Sequence, residues 1–209
     1  MSDQVCGAEG LVRVRPARDS DRRAVGHLLA VVFADKFAPV FGCDHDRTAA
    51  ILADLPPAGT VYVAEGAGQV VGTFTLVLDE RPPAPVWPVL RRHLRLGAAV
   101  RAFLLLELLG TSRPDRHTAL VEAVAVLPEW RGRGVGRRMM AEALAEARRA
   151  GRQRVGLYVV EGNHPAVHLY TSLGFRVQAT HRLFWARPVF GARRVLYMTA
   201  EVGLPPPRR

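Results

Sequence analysis

Apolar positions near the N-terminus follow first a strand period and then a helix period. Leu11 to Arg15 alternates apolar and basic residues, which predicts a strand that ends at Pro16. Apolar residues then recur three and four positions apart, so we expect a helix with one buried face, capped by Asp19 or Ser20. The residues of that face are Val25, Leu28, Leu29, Val32 and Phe33.

The next stretch predicts a helix, a hairpin and a second helical region. The first of these helices should stop at two consecutive prolines, and the residues between the two strands suit a tight turn. The predicted elements are a helix over 47–55, strands over 60–65 and 69–78 joined at Ala67-Gly68, a segment with four prolines over 81–88, and a helix over 90–110.

The second half of the chain alternates strands with helices and ends in a hairpin. The order predicts a mixed α/β layer whose sheet is parallel where the helix 135–150 crosses between two strands, with helices packed on the sheet. The predicted elements are strands over 119–127, 154–160, 175–186 and 194–202, helices over 135–150 and 165–173, and a final turn around 188–192.

The length of 209 residues and an ordinary globular composition favour one domain over residues 1–203. Within it, 81–113 is expected to be a helical insertion. The segment 204–209, with three consecutive prolines, is expected to be an extended tail.

The net charge of +10 raises the question of nucleic-acid binding. The arginines are scattered, however, and are not interleaved with aromatic residues as a base-stacking surface would require. Of the 29 basic residues only Lys36 is a lysine, which indicates a general preference for arginine. We therefore expect no specific nucleic-acid partner, and a local role for some of the charge on a phosphate-rich ligand.

Cys6 and Cys43 form no metal-ligand or redox spacing, so we expect no bound metal and a reduced, cytoplasmic location. No signal peptide is expected at the N-terminus. The most apolar run, Ala98 to Leu109, contains two charges and is too short to span a bilayer, so no membrane partner is expected.

Chemistry is indicated first by a strand-to-helix turn that contains three alternating glycines. Such a turn leaves backbone N–H groups unpaired at the positive end of a helix dipole, which makes an anion site that suits pyrophosphate. The glycines would allow close backbone approach, and arginines surround them. The segment runs from Val126 to Arg137 and includes Arg131, Gly132, Arg133, Gly134, Val135, Gly136 and Arg137, with Arg138 next.

Taken alone, this turn has other interpretations. It is also typical of a simple connector. A nucleotide-hydrolysing loop would need Gly-Lys-Ser/Thr, whereas the chain has Gly-Val-Gly-Arg. A dinucleotide-binding fold would place the glycines after its first strand, with an acidic residue beyond the next strand. Only Glu161 keeps that alternative open.

A second segment favours one interpretation. After the next strand come Asn163, Ala166, Leu169, Tyr170 and the pair Gly174-Phe175. Together with Val126, Pro128, Arg131, Gly134 and Gly136, these residues match the two linked motifs of the GNAT acetyltransferase superfamily. The chain resembles that family over nearly its whole length except about 81–117. The resemblance implies a GNAT-like fold: a mostly antiparallel sheet that splays at a parallel β-α-β unit binding coenzyme A.

The resemblance also implies an N-acetyltransferase that moves an acetyl group from acetyl-CoA to a primary amine by direct attack in a ternary complex. The strand edge Val124, Ala125 and Val126 would hold the pantetheine arm and polarise the thioester. The loop from Arg131 to Arg137 would hold the pyrophosphate, Asn163 would contact the CoA arm, and Tyr170 would protonate the leaving sulfur. Tyr170 also has helical spacing typical of a core tyrosine, which is the alternative for that residue.

Glu122 is the candidate general base. It is the only charged residue in its strand, and it shares a face with Val124 and Val126 if no bulge intervenes. A buried carboxylate there would have a pKa raised toward the working range of a base. A structural glutamate paired with an arginine is the alternative.

The acceptor end is less defined. The helix within 81–113 is predicted to roof the acceptor pocket, with Phe103 to Leu109 facing the core, the pocket or a subunit partner in a homodimer. The acceptor is expected to be a small-molecule or peptide amine. A CoA-binding regulatory or interaction protein of the same fold, without turnover, is the alternative function.

Overall fold

The order of alternating and helix-periodic segments folds into one mixed sheet with helices on both of its faces. A computed structural model describes residues 12–78, 84–108, 115–182 and 194–203. Within these ranges the strands are β1 (Arg13–Pro16), β2 (Thr60–Gly66), β3 (Gln69–Val77), β4 (Thr118–Val126), β5 (Arg154–Val160), β6 (Arg176–Arg182) and β7 (Arg194–Glu201).

The strands lie in the order β1-β2-β3-β4-β5-β7-β6. Only β4 and β5 are parallel neighbours, because the helix between them carries the chain back across the sheet. Every other described pair is antiparallel. The predicted mixed sheet with a parallel β-α-β unit is therefore confirmed.

The helices within the described ranges are α1 (Arg22–Val32), α2 (Ala34–Phe41), α3 (His45–Asp54), α4 (Trp87–His93), α5 (Leu96–Leu108), α6 (Val135–Arg149) and α7 (His164–Ser172). Two short 3-10 turns, Asp19–Asp21 and Pro128–Trp130, precede α1 and the glycine-rich loop. No single helix in the described part of the chain is long and apolar enough to cross a membrane. α1 with its preceding turn and α2 have the required length and apolarity only when they are counted together, and their axes are bent by 99°.

Two hydrophobic cores hold these elements. The larger one lies between the sheet and the helices α6 and α7, and includes Phe74, Val121, Met139 and Tyr170. The second lies among the helices α1 to α5. Its buried members are Ala30, Val40, Phe41, Ile51, Leu52, Leu90, Leu94, Ala99 and Ala102.

The predicted hairpin between β2 and β3 is confirmed. Ala67 and Gly68 both have positive φ, 49° and 75°. Two consecutive positive φ values are what a two-residue turn requires to match the twist of its strands. The other predicted turn, around 188–192, lies outside the described residues, as do 183–186 of the predicted strand and the tail 204–209.

The single helix predicted over 90–110 is wrong in its continuity. Leu94 is extended, with φ −122° and ψ 149°, and it separates α4 from α5. The break allows Leu90 and Leu94 to enter the second core while the His93 ring contacts Asp54 of α3 at 2.8 Å. The side chains of Phe103, Leu105 and Leu106 pack on that core, whereas Leu104 is exposed.

The helix α2 is a further difference, because the sequence pattern indicated no helix there. Pro39 lies inside it, where proline ordinarily interrupts a helix. The helix ends at Gly42, whose φ of 62° suits a glycine terminus.

Candidate functional site

The two parallel strands of the sheet pair for only part of their length. β4 and β5 are in register from Thr118 opposite Arg154 to Val121 opposite Leu157. β4 continues to Val126 and β5 to Val160 with no pairing between them. The strands therefore splay, and a wedge opens between them at their carboxyl ends.

One edge of this wedge presents backbone groups that do not pair with β5. The N–H of Leu127 donates to the carbonyl oxygen of Val71 at 3.0 Å, so Leu127 is bonded to β3. Because backbone groups alternate in direction along a strand, those of Ala125 also face β3, and those of Val126 point into the wedge. The carbonyl oxygen of Val124 also points into the wedge, because it lies opposite to the Ala125 N–H of the same peptide. Of the three predicted edge residues, Val126 can thus offer its N–H group and Val124 its carbonyl oxygen to a ligand there.

A β-bulge lies beside the wedge. Ala125 pairs with Thr73 and Glu122 with Thr75, so Ala123 and Val124 together lie opposite Phe74. Ala123 has φ 51°, an uncommon conformation for a residue other than glycine. Bulges and such backbone strain concentrate at functional sites, where they redirect side chains.

The bulge overturns the expected direction of Glu122. The prediction that Glu122 shares a face with Val126 required an uninterrupted strand. With one extra residue inserted, Glu122 lies on the face of Thr75, and Val126 lies on the face of Gly72, where Met139 of α6 packs. Glu122 therefore points toward the side of the sheet on which α1 packs.

Beyond β4, the glycine-rich loop leads to the N-terminus of α6. The first helical hydrogen bond is donated by the N–H of Arg138 to Gly134, so the N–H groups of the three preceding residues have no partner within the helix. No side chain caps this end. These are the free donors of the predicted anion site, and they belong to Val135, Gly136 and Arg137.

The three glycines of the loop have two different roles. Gly132 and Gly134 each have φ 75°, so they provide left-handed turns beside open space. Gly136 has a packing role instead: a Cβ there would lie 3.0 Å from the Cδ2 atom of Leu169. Its small size lets α6 approach α7, and its role in close approach to a ligand stays a prediction.

The arginines around the loop are held by the protein on different sides. Arg131 donates from Nε to the carbonyl of Val126 at 3.3 Å, and the Arg133 guanidinium lies 5.3 Å from the centre of the Trp130 ring. Arg137 donates to the Ser172 hydroxyl at 2.9 Å. The side chain of Arg138 instead donates to Val12, toward the β1 edge and away from the wedge.

The second motif forms α7. Asn163 is its N-terminal cap, and the Oδ1 atom accepts from the N–H of Ala166 at 3.3 Å. Its amide nitrogen has no protein partner in the described ranges and is available to a ligand. Tyr170 is buried, 6% exposed, with its ring 5.8 Å from that of Phe175.

The environment of each candidate catalytic group changes its proton affinity. Burial raises the pKa of Tyr170 to about 12, so the phenol keeps its proton at neutral pH. Burial also raises the pKa of Glu122, an effect that the positive charge of Lys36 partly offsets. No described residue forms a hydrogen bond or ion pair with the Glu122 carboxylate, so the alternative of a structural pair with arginine is absent from this part of the chain.

Lys36, the one lysine of the chain, had no predicted role. It lies half-buried on α2, and its charge and that of Glu122 act on one another. Its rarity among 29 basic residues was the available signal. That Lys36 lies near Glu122 could not be read from the pattern.

Three comparisons with known proteins bear on this arrangement. Residues 31–175 match the family described as the acetyltransferase (GNAT) family. Over 57 residues the chain is 47% identical to the mycothiol acetyltransferase of Thermobifida fusca. The matched segment is 27% of this chain and 18% of that protein. The chain thus matches less than a fifth of the length of this curated relative.

Solved structures share the fold at low identity. The ribosomal-protein-S18-alanine N-acetyltransferase of Escherichia coli superposes with a TM-score of 0.59 at 16% identity, over 95% of this chain and 99% of that one. A GNAT family acetyltransferase from Elizabethkingia anophelis with acetyl-CoA bound superposes with a TM-score of 0.53 at 12% identity, over 91% of this chain and 97% of that one.

Proposed function

Because the chain belongs to the acetyltransferase (GNAT) family, we propose that it transfers an acetyl group from acetyl-CoA to a primary amine by direct attack in a ternary complex. The observation that carries this proposal is the wedge between β4 and β5. A carboxylate approaches it from one face of the sheet and a phenol lies in the core on the other face. Donor and acceptor can therefore enter from opposite sides and meet there.

The residues present fit the CoA portion of the donor. Free N–H groups at the start of α6 and the exposed arginines Arg131, Arg133 and Arg137 suit its pyrophosphate. The backbone of Val124 and Val126 can hydrogen-bond the pantetheine amides, with Asn163 beside the arm. The thioester supplies an activated carbonyl, and the Val126 N–H at the wedge edge would stabilise negative charge developing on its oxygen.

Two proton transfers complete the reaction. An amine attacks only without its proton, so a base must accept that proton directly or through water. Glu122 is the group we assign to this step, because burial raises its pKa toward the working pH. Tyr170 would donate its proton to the departing sulfur, and its raised pKa keeps that proton in place until a thiolate forms.

Release of the CoA thiol from acetyl-CoA, measured across a panel of amines, tests the proposal. The parent should release thiol with at least one amine, and an acetylated product should appear in equal amount. Calorimetric binding of acetyl-CoA without release on any amine would contradict turnover and favour the alternative, a CoA-binding regulatory protein.

A further inference from the structure

The acceptor side of the wedge carries two opposite charges. Glu122 points there from β4, and Lys36 on α2 lies near enough for its positive charge to act on that carboxylate. Each is half-buried, and among the described residues each is the one charge that acts on the other's pKa. A negative and a positive group thus stand near each other beside the site of the reaction.

Lys36 is held in place by aromatic rings. Its Nζ atom lies 5.7 Å from the centre of the Phe33 ring and 5.5 Å from that of Phe37. Cation–π contacts of this kind fix an ammonium group at a partly desolvated position. A lysine ammonium is compact enough to be held between two phenyl rings.

The two charges do not neutralise each other by contact. Within the described residues neither Lys36 nor Glu122 forms an ion pair or a hydrogen bond, although nine other ion pairs are formed there. A structural pair at a half-buried position would close to hydrogen-bond distance, since separated charges keep their desolvation cost. A gap between opposite charges is instead suited to a ligand that carries both.

We propose that Lys36 binds a carboxylate of the acceptor while the acceptor's amine lies at Glu122, so that the substrate is an amino carboxylate such as an α-amino acid. This inference rests on the proposed function and specifies its acceptor. The amine nitrogen forms a bond to the acetyl carbonyl carbon as the carbon–sulfur bond breaks. One amine proton passes to Glu122, the sulfur takes a proton from Tyr170, and the carboxylate is unchanged.

The test compares each standard protein amino acid with its amide, which keeps the amine and the side chain but lacks the charge. The rate of thiol release is measured at a pH where Glu122 is deprotonated, and it is divided by the concentration of unprotonated amine. Losing a charge-assisted contact should lower kcat/KM by about ten- to a hundredfold for the amide. Lys36→Met should reduce the rate on the acid to that on the amide, through KM more than kcat, and Lys36→Arg should restore part of it.

Binding separates this inference from the proposed function. The best amino acid and its amide are titrated by calorimetry into the parent protein and into Lys36→Met, both saturated with CoA. Tighter binding of the acid, lost in Lys36→Met, supports the carboxylate site even if no turnover is found, an outcome that overturns only the proposed function. Equal binding of acid and amide to the parent, or an acid preference that survives in Lys36→Met, overturns the inference even if amines are acetylated.

Discussion

Glu122 lies opposite Thr75 in the β3–β4 ladder, on the face of the sheet that α1 covers. The bulge at Ala123 and Val124 is the cause, because the extra residue reverses the side-chain alternation of the strand. Without it the carboxylate would point into the core with Met139. The bulge therefore brings the candidate base to the side from which we propose that the acceptor enters.

Replacing that carboxylate should remove a pH-dependent step. A base must be deprotonated to act, so activity should rise with pH through the Glu122 pKa, which burial holds above the usual glutamate value. In Glu122→Gln, kcat/KM expressed per unprotonated amine should fall by about 10²- to 10⁴-fold, and the acid limb of that profile should disappear.

The control for that substitution is Glu201→Gln, because Glu201 is an exposed glutamate at the end of β7. It should keep the parent's rate and acid limb. An unchanged acid limb in Glu122→Gln would assign the limb to another group and contradict the role of Glu122.

The Tyr170 hydroxyl should matter for rate and little for folding. Within the described residues it has no hydrogen-bond partner, so Tyr170→Phe keeps the packing against Phe175 and leaves no buried group unsatisfied. We expect kcat to fall by about 10²-fold or more, with acetyl-CoA affinity unchanged by calorimetry.

Tyr62→Phe is the matched control. Tyr62 is also 6% exposed and its ring also contacts a phenylalanine, and burial together with the nearby Glu146 raises its pKa to about 12. It lies on β2, away from the wedge. Equal loss of kcat in both variants would show that the phenol of Tyr170 has no particular role.

The sequence predicted most of the strands and helices within a few residues, because Ala67-Gly68 and the loop after β4 are local signals. The predicted face of the Glu122 side chain was wrong for a different reason. A bulge is a property of the pairing of two strands, and the sequence of β4 alone contains no sign of it. The break at Leu94 likewise depends on what Leu90 and Leu94 bury against. Lys36 was missed because its neighbour Glu122 is remote in sequence.

A buried ion pair at the start of α1 should contribute to stability in a pH-dependent manner. Asp21 accepts from Arg15 at 2.7 Å and 3.2 Å and from the Arg18 N–H at 2.7 Å. The bond from Arg15 lowers the pKa of Asp21. Its contribution is therefore complete above the unfolded value of about 3.9 and is lost as the pH falls through the lower folded pKa.

Asp21→Asn should lower the free energy of unfolding at pH 7 by about 1–3 kcal/mol, measured in urea, with the deficit shrinking in acid. Asp19→Asn is the comparison, since the Asp19 carboxylate is 94% exposed and its pair with Arg22 should contribute about 0.5 kcal/mol or less. A deficit for Asp21→Asn that does not depend on pH would argue against the ion pair as its source.

Gly134 of the glycine-rich loop has a sterically equivalent position in Gly68 of the β2–β3 turn. Gly134 and Gly68 both have φ 75° and nothing within 4 Å of an added Cβ. Alanine at either position should lower the free energy of unfolding by about 1–2 kcal/mol, because an L residue is strained in the left-handed region.

Only Gly134 lies at the N-terminus of α6, where a shift of the backbone would redirect the free N–H groups. Gly134→Ala should therefore raise KM for acetyl-CoA about tenfold, as loss of a charge-assisted hydrogen bond would, and Gly68→Ala should leave KM unchanged. Similar KM values for the two variants, with similar losses in urea, would place the pyrophosphate elsewhere.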